Sequence, residues 1–266
     1  MSKIDSYKAT LQPIPDWEAY LLAESGLPGP RGNLELAQAA AELAGEAQRA
    51  QMEHWRRLTL AQAPVNSPQE YLVFCGVLVL GWDLTAFIEP GRAAARQAAL
   101  QELKAFASDP RWRTREAVAM AFQHWGAADL AGMLAEAGAW AGGNPFEQRA
   151  AVAAICEPAV LVKVEREADP PAMQDQIFTI LDRITTDFCA VPKQKRRSDG
   201  YQALKKGLAY GWSVAVAYLP QVGRGRIERW FASPDPDLRW VMRENLKKNR
   251  LERMDAAWVD YWKVRV

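Results

Sequence analysis

Hydrophobic residues recur along the chain at helical spacing, and the alternation typical of strands is weak throughout. The clearest case follows the Asp109-Pro110 pair, where Val118, Phe122 and Trp125 define one apolar helix face. Aspartate is a favourable N-cap and proline a favourable first helical residue, so we expect a helix that this pair begins. The segment before it, residues 92–107, is rich in alanine and leucine and predicts an antiparallel helix.

This type of helix start occurs three times. The pairs Asp109-Pro110, Asn144-Pro145 and Asp235-Pro236 are each followed within five residues by an arginine. Two antiparallel helices joined by such a turn are the unit of a HEAT repeat, and recurrence after some tens of residues is typical of an α-solenoid. We therefore predict an all-α fold, an α-α superhelix of HEAT-like repeats, with residues 1–266 forming a single domain.

Turn and capping residues divide the remaining chain. Residues 1–15 are predicted to be a loose lead-in, and residues 190–200 a basic loop that is the best candidate for a mobile segment. Residues 67–70 (Ser-Pro-Gln-Glu) form a capping box, which predicts a helix that continues to about residue 82. A long alanine-rich helix is expected over residues 34–62, with a break at Gly45.

Composition favours a protein without a membrane-spanning segment. The 266 residues are 49% hydrophobic and 24% charged, as in ordinary globular domains. The most apolar run, residues 71–82, is too short to cross a bilayer. Three widely spaced cysteines argue against a disulfide framework and for a reducing compartment, so we predict a cytoplasmic location.

Charge is distributed unevenly along the chain. Residues 190–266 carry 17 basic and 8 acidic side chains, a net charge of +9, whereas the preceding 189 residues carry 16 basic and 24 acidic side chains, a net charge of −8. A basic C-terminal third predicts an anionic partner, of which nucleic acid is the usual one. The alternative is a protein partner that contacts an acidic N-terminal part and a basic C-terminal part.

Each repeat start contributes one candidate arginine: Arg115, Arg149 and Arg239. One interpretation is structural, because such an arginine can donate to acceptors at the turn or in a neighbouring repeat. The other is functional, because guanidinium groups on an inner surface can hold phosphates. Both interpretations stay open at this point.

A second candidate is a stripe of cations near the C-terminus. Arg239, Arg243 and Lys247 are spaced by four residues and share a helix face, and Arg250 extends it. The stripe could follow a phosphate backbone, or it could be an ordinary solvated face. Exposed tryptophans beside cations could also stack on bases, although tryptophan at helical spacing usually packs between helices.

The sequence gives no indication of a metal site or a cofactor, and we predict neither. His54 and His124 are the only histidines, and neither has a cysteine, histidine or carboxylate at ligand spacing. The Gly-x-Ser-x-Gly motif of many hydrolases does not occur.

One stretch resembles a known family. Residues 107–117, with the pattern Ala-Ser-Asp-x-x-Trp-x-x-Arg-x-Ala, resemble the HEAT-repeat alkylpurine DNA glycosylases of the DNA alkylation repair family, and residues 146–150 fit that family's next repeat. The resemblance implies that Arg115 lies against DNA in a cleft. It also implies a tryptophan at position 153, where this chain has alanine, and a carboxylate at position 86, four residues after Trp82, where it again has alanine.

These departures favour a divergent member of that family. The group that would stabilise a cationic sugar is missing from its expected position. We therefore predict a protein that binds nucleic acid through a basic concave surface, and the question of enzymatic activity stays open with a leaning against it. A protein-interaction scaffold and an active glycosylase with an altered site are the alternatives.

Overall fold

The computed structural model describes residues 2–266, and all regular secondary structure within them is helical. The prediction of an all-α protein is confirmed. In chain order the helices are α1 (Lys3–Leu11), α2 (Glu18–Ala23), α3 (Leu34–Leu43), α4 (Glu46–Arg56), α5 (Pro68–Leu78), α6 (Leu80–Ala86), α7 (Ala93–Phe106), α8 (Trp112–Ala128), α9 (Leu130–Trp140), α10 (Pro145–Ile155), α11 (Pro158–Val164), α12 (Pro170–Ala190), α13 (Asp199–Tyr218), α14 (Pro220–Phe231), α15 (Pro236–Leu246), α16 (Asn249–Met254) and α17 (Ala256–Lys263). None of them is both long and apolar enough to cross a membrane, within residues 2–266.

Side-chain caps set several predicted helix starts. Ser67 accepts a hydrogen bond from the backbone N–H of Glu70 at the start of α5. Asn144 and Asp235 each accept from two backbone N–H groups in the first turns of α10 and α15. Such bonds satisfy donors that a helix leaves free at its first turn. The predicted break at Gly45 is also confirmed, since α3 ends before it and α4 begins after it.

The prediction for the N-terminal residues is wrong. Residues 1–15 are not a loose lead-in, because Ser2 and Asp5 form a reciprocal capping box that begins α1. At the other end of the chain, the Asp255 side chain accepts from the backbone N–H of Trp258 and so begins α17.

The helix after Asp109 also begins later than predicted. The Asp109 carboxylate accepts 2.8 Å hydrogen bonds from the backbone N–H and the Nε–H of Arg111, and α8 begins at Trp112. Asp109 is therefore not the N-cap of α8, and its main partner is the buried Arg111 guanidinium. That guanidinium also donates to the carbonyl oxygen of Leu58 at 3.1 Å.

Residue contacts divide the chain into two compact units, residues 1–125 and 126–266, where the sequence predicted one domain. In the first unit, α5 packs against α2, α3 and α4, and α6 packs against α7. In the second unit, α13 is central and contacts α10, α12, α14 and α15. Each unit has its own buried apolar core.

Three helices of the second unit lie parallel and side by side. From the N-terminus to the C-terminus of α13, Gly200 faces Pro145, Gly207 faces Arg149 and Gly211 faces Val152 of α10. The contacts to α15 rise in the same order, from Tyr201–Asp237 to Lys205–Trp240 and Leu208–Asn245. A side chain at Gly211 would lie 2.6 Å from Val152, so glycine here permits the close approach of α13 to α10. Behind this layer, α9, α12 and α14 contact α10, α13 and α15 in turn.

Candidate functional site

The outer surface of α13 and α15 brings cations and aromatic rings together. We call the surface formed by Lys205, Lys206, Tyr210, Trp240 and Lys247 the α13–α15 face. Lys206 is exposed, and Tyr210, one turn further along α13, is 50% exposed. On α15, Trp240 is 40% exposed, and Lys205 Nζ lies 4.7 Å from its ring centroid. A cation that lies over an aromatic face at such a distance is attracted to the ring.

Arg250 borders this face from α16, which contacts both α13 and α15. Its guanidinium carbon lies 4.2 Å from the ring centroid of Tyr210. Burial raises the pKa of the nearby Glu157 carboxyl, and the charge of Arg250 works in the opposite direction. Arg250 is therefore in contact with the Tyr210 ring, and its charge acts on the Glu157 carboxyl.

The predicted cation stripe is only partly continuous. Arg239, Arg243 and Lys247 are all exposed on α15 or at its end. However, α15 ends at Leu246, so Arg250 belongs to the next helix rather than to the same helix face.

Two of these cations have bonding partners. Arg243 Nε donates a 2.6 Å hydrogen bond to the backbone oxygen of Val266. Lys247 Nζ lies 2.6 Å from a Glu244 carboxylate oxygen, but the lysine is 64% exposed, so solvent screens this pair. The positive charge of Lys247 is thus still accessible to a partner.

The other repeat arginines have different surroundings. Arg115, in the first unit, is half-buried and donates to the carbonyl oxygens of Asp109 and, at 3.0 Å, Pro110. Its geometry matches the structural interpretation, in which the arginine satisfies acceptors at the turn. Arg149 is half-buried in α10, and its Cγ lies against α13 at Gly207, beside Lys206.

An ion cluster fixes the basic loop next to the α13–α15 face. Arg196 forms ion pairs with both Asp235 and Asp237, and Lys205 and Tyr201 also bind Asp237. These bonds join the loop to the first turn of α15, and the sequence did not predict this connection. Within the loop, residues 193–195 form a short 3₁₀ turn. Lys193, Lys195 and Arg197 stay exposed beside this anchor: the loop presents charge from a fixed position.

In the first unit, the region of the resemblance contains a carboxylate in a different setting. Trp82 stacks on His124 with ring centroids 3.5 Å apart, and a close approach of Gly81 to Ala121 brings α6 and α8 together there. The adjacent Asp83 is ion-paired with Arg49. Burial raises the pKa of Asp83, and the positive charge of Arg49 opposes that rise. Ala86, where the family pattern has its carboxylate, is exposed.

Comparisons with known proteins add no assignment to this geometry: no protein-family model matches the chain, and no curated protein or solved structure matches it. Within residues 2–266, no three histidine, cysteine, aspartate or glutamate side chains come together as a group that could hold a metal ion.

Sequence reasoning missed the α13 half of the face. Lys206 and Tyr210 are spaced by four residues, so their shared helix face could have been recognised. The pairing of Lys205 with Trp240 could not, because it depends on the packing of α13 against α15.

Proposed function

We propose that this protein binds nucleic acid, with DNA favoured, and that the α13–α15 face holds the phosphate backbone. The observation that carries the proposal is that the adjacent parallel helices α13 and α15 carry exposed Lys206 and exposed Lys247, together with the exposed ring of Trp240, over which Lys205 lies. Lysine and arginine side chains supply most phosphate contacts in such complexes. The net charge of +9 over residues 190–266 supports the same partner.

The proposal includes a HEAT-like solenoid architecture for the second unit. The parallel layer of α10, α13 and α15, with α9, α12 and α14 behind it, is the arrangement expected when helix pairs stack in series. In such stacks the second helices of successive pairs form one surface. The α13–α15 face is proposed to belong to such a surface, since the repeat starts at Asn144 and Asp235 begin two of the three helices of the parallel layer.

The proposed role is binding rather than base excision. A glycosylase would need a carboxylate beside the reacting sugar. Asp83 is the carboxylate next to Trp82, and it is paired with Arg49. We therefore expect no release of methylated purines from alkylated DNA. Efficient release that Asp83→Asn abolishes would support the glycosylase alternative instead.

Fluorescence anisotropy of a labelled 20-base-pair DNA duplex at several salt concentrations tests the proposal. If Lys206, Arg243, Lys247 and Arg250 each meet one phosphate, log affinity should fall with log salt at a slope of about −3.6, since each contact contributes about −0.9. Lys206→Ala should flatten the slope by about one unit. Lys206 suits the test better than Arg243, whose bond to Val266 would be lost together with its charge.

Lys3→Ala is the matched control, because Lys3 is an exposed lysine on α1 in the first unit. Its loss should leave the slope unchanged. If neither the duplex nor a single strand of the same length binds at low salt, or if both variants change the slope equally, the α13–α15 face is not the binding surface. The interaction scaffold then becomes the better hypothesis.

A further inference from the structure

Two aromatic rings on the proposed binding surface are exposed and each is held by a cation. Lys205 lies over the ring of Trp240, and Arg250 lies over the ring of Tyr210. The rings are nevertheless 40% and 50% exposed, so neither is buried in the core. Two exposed rings beside cations on one face offer stacking surfaces to a flat partner.

The supports of these rings restrict their movement. Lys205 is ion-paired with Asp237, which also binds Arg196 and Tyr201, so the cation over Trp240 is itself fixed. Arg250 lies 4.2 Å from the centroid of the Tyr210 ring and is placed by α16, which packs against α13. Both rings are therefore preorganised, which lowers the entropic cost of binding a flat partner.

We propose that Trp240 and Tyr210 stack on unpaired bases, so that the preferred ligand is single-stranded nucleic acid rather than a duplex. This inference rests on the proposed function, since the cations around the rings must hold the phosphates of the same strand. In a duplex the bases are already stacked on each other, and their faces are not accessible to a side chain. In a single strand every base has a free face, and stacking on an aromatic side chain is tolerant of sequence.

The positions of the rings fit an extended strand. Lys205 on α13 lies level with Trp240 on α15. Tyr210 is five residues after Lys205 on α13, which is a distance of about 7.5 Å along the helix axis at 1.5 Å per residue. The two rings also belong to neighbouring helices, whose axes lie about 8–10 Å apart. Bases bound to both rings must be further apart than the 3.4 Å step of a stacked strand. An unstacked single strand meets this condition, with Lys206 and Lys247 available to its phosphates.

The test uses the full chain and three labelled 20-nucleotide probes: a mixed-sequence single strand, its duplex, and a single strand in which the central bases are replaced by abasic sites. We expect the single strand to bind more tightly than the duplex, and the abasic strand to lose that advantage. Trp240→Ala should weaken single-strand binding by about 5- to 150-fold and leave the salt slope unchanged, because stacking releases no counterions. Trp240→Phe should restore part of the affinity.

Tyr261→Ala is the matched control. Tyr261 is 52% exposed on α17 and has Arg265 stacked at 3.6 Å, so it reproduces the aromatic–cation pair outside the proposed face. Its removal should change binding less than twofold. Equal binding of single strand and duplex, with no effect of Trp240→Ala, would overturn the stacking inference and leave the phosphate-binding proposal standing. Failure of all probes to bind at low salt would overturn both.

Discussion

The turn at residues 109–111 and the turn at residues 235–237 have the same Asp-Pro pattern but use the aspartate differently. Asp235 accepts from two backbone N–H groups, and α15 begins at the following proline. Asp109 binds the N–H and guanidinium of Arg111, and its helix begins later. The residue two positions after the aspartate decides the outcome. Arginine at 111 can fold back onto the carboxylate, whereas the acidic Asp237 cannot.

The repeat arginines differ in a related way. Arg115 follows its proline by five residues and Arg239 by three. Measured from the first helical residue, however, both arginines lie three residues further on, Arg115 after Trp112 and Arg239 after Pro236. The difference therefore comes from the extra turn residues that precede α8 and not from the helix itself. Arg115 donates to the turn carbonyl oxygens, and Arg239 is exposed. The arginine after Asp109-Pro110 thus contributes to the structure of its turn, whereas the arginine after Asp235-Pro236 is exposed.

The largest expected effect is on stability at the two aspartates. Asp109→Ala leaves the buried Arg111 guanidinium without its carboxylate and should destabilise the protein by about 3–5 kcal/mol. Asp235→Ala removes an N-cap, but Arg196 keeps Asp237 as a partner, so the loss should be about 1–2 kcal/mol. Urea unfolding of the two variants beside the wild type measures both free energies.

A double variant sharpens this first prediction. If the cost of Asp109→Ala comes from an uncompensated charge, then adding Arg111→Met should recover part of the stability, because an apolar side chain can replace a buried ion pair. Equal losses for Asp109→Ala and Asp235→Ala would mean that the two aspartates act as equivalent caps and that the comparison of the turns is wrong.

The sequence predicted the all-α fold and most helix starts because caps and prolines act locally. It placed the start of α8 wrongly because Asp109 binds the guanidinium of Arg111 in addition to a backbone N–H, and a side-chain partner of this kind is not part of a capping pattern. It identified the cations of α15 by their spacing. It could not identify the bond of Arg196 to Asp235, which joins residues 39 positions apart in the chain.

The second prediction concerns pH and compares carboxylates of the two units. Burial would raise the pKa of Asp237, but hydrogen bonds from Lys205 and Arg196 outweigh it, and the pKa is lowered below 3.8. Burial raises the pKa of Asp83 above 3.8 despite its pairing with Arg49. At a pH above the unfolded pKa of Asp237, its ionised carboxylate therefore stabilises the folded state. This stabilisation is lost as the pH falls through the lower folded pKa. Asp83 favours the folded state at low pH, and that stability is lost as pH rises through its folded pKa.

Unfolding free energies of Asp237→Asn and Asp83→Asn between pH 3 and pH 7 measure this difference in sign. Asp237→Asn should cost about 2 kcal/mol at pH 7, as expected for charged hydrogen bonds, and the cost should shrink as the pH falls below about 4. For Asp83→Asn the loss relative to wild type should instead become smaller as the pH rises above about 4. The same pH trend for both variants would contradict the assignment of opposite shifts.

The smallest expected effect separates the two arginines. Arg115→Ala removes bonds to the carbonyl oxygens of the turn and should destabilise the protein by at least about 1 kcal/mol. Arg239→Ala changes an exposed side chain and should stay within about 0.5 kcal/mol. Urea titration measures both, with lysine replacements as controls, since lysine keeps the charge but cannot bind both carbonyl groups as a planar fork. If Arg115→Lys were as stable as wild type while Arg239→Ala unfolded more easily, then Arg239 and not Arg115 would have the structural role.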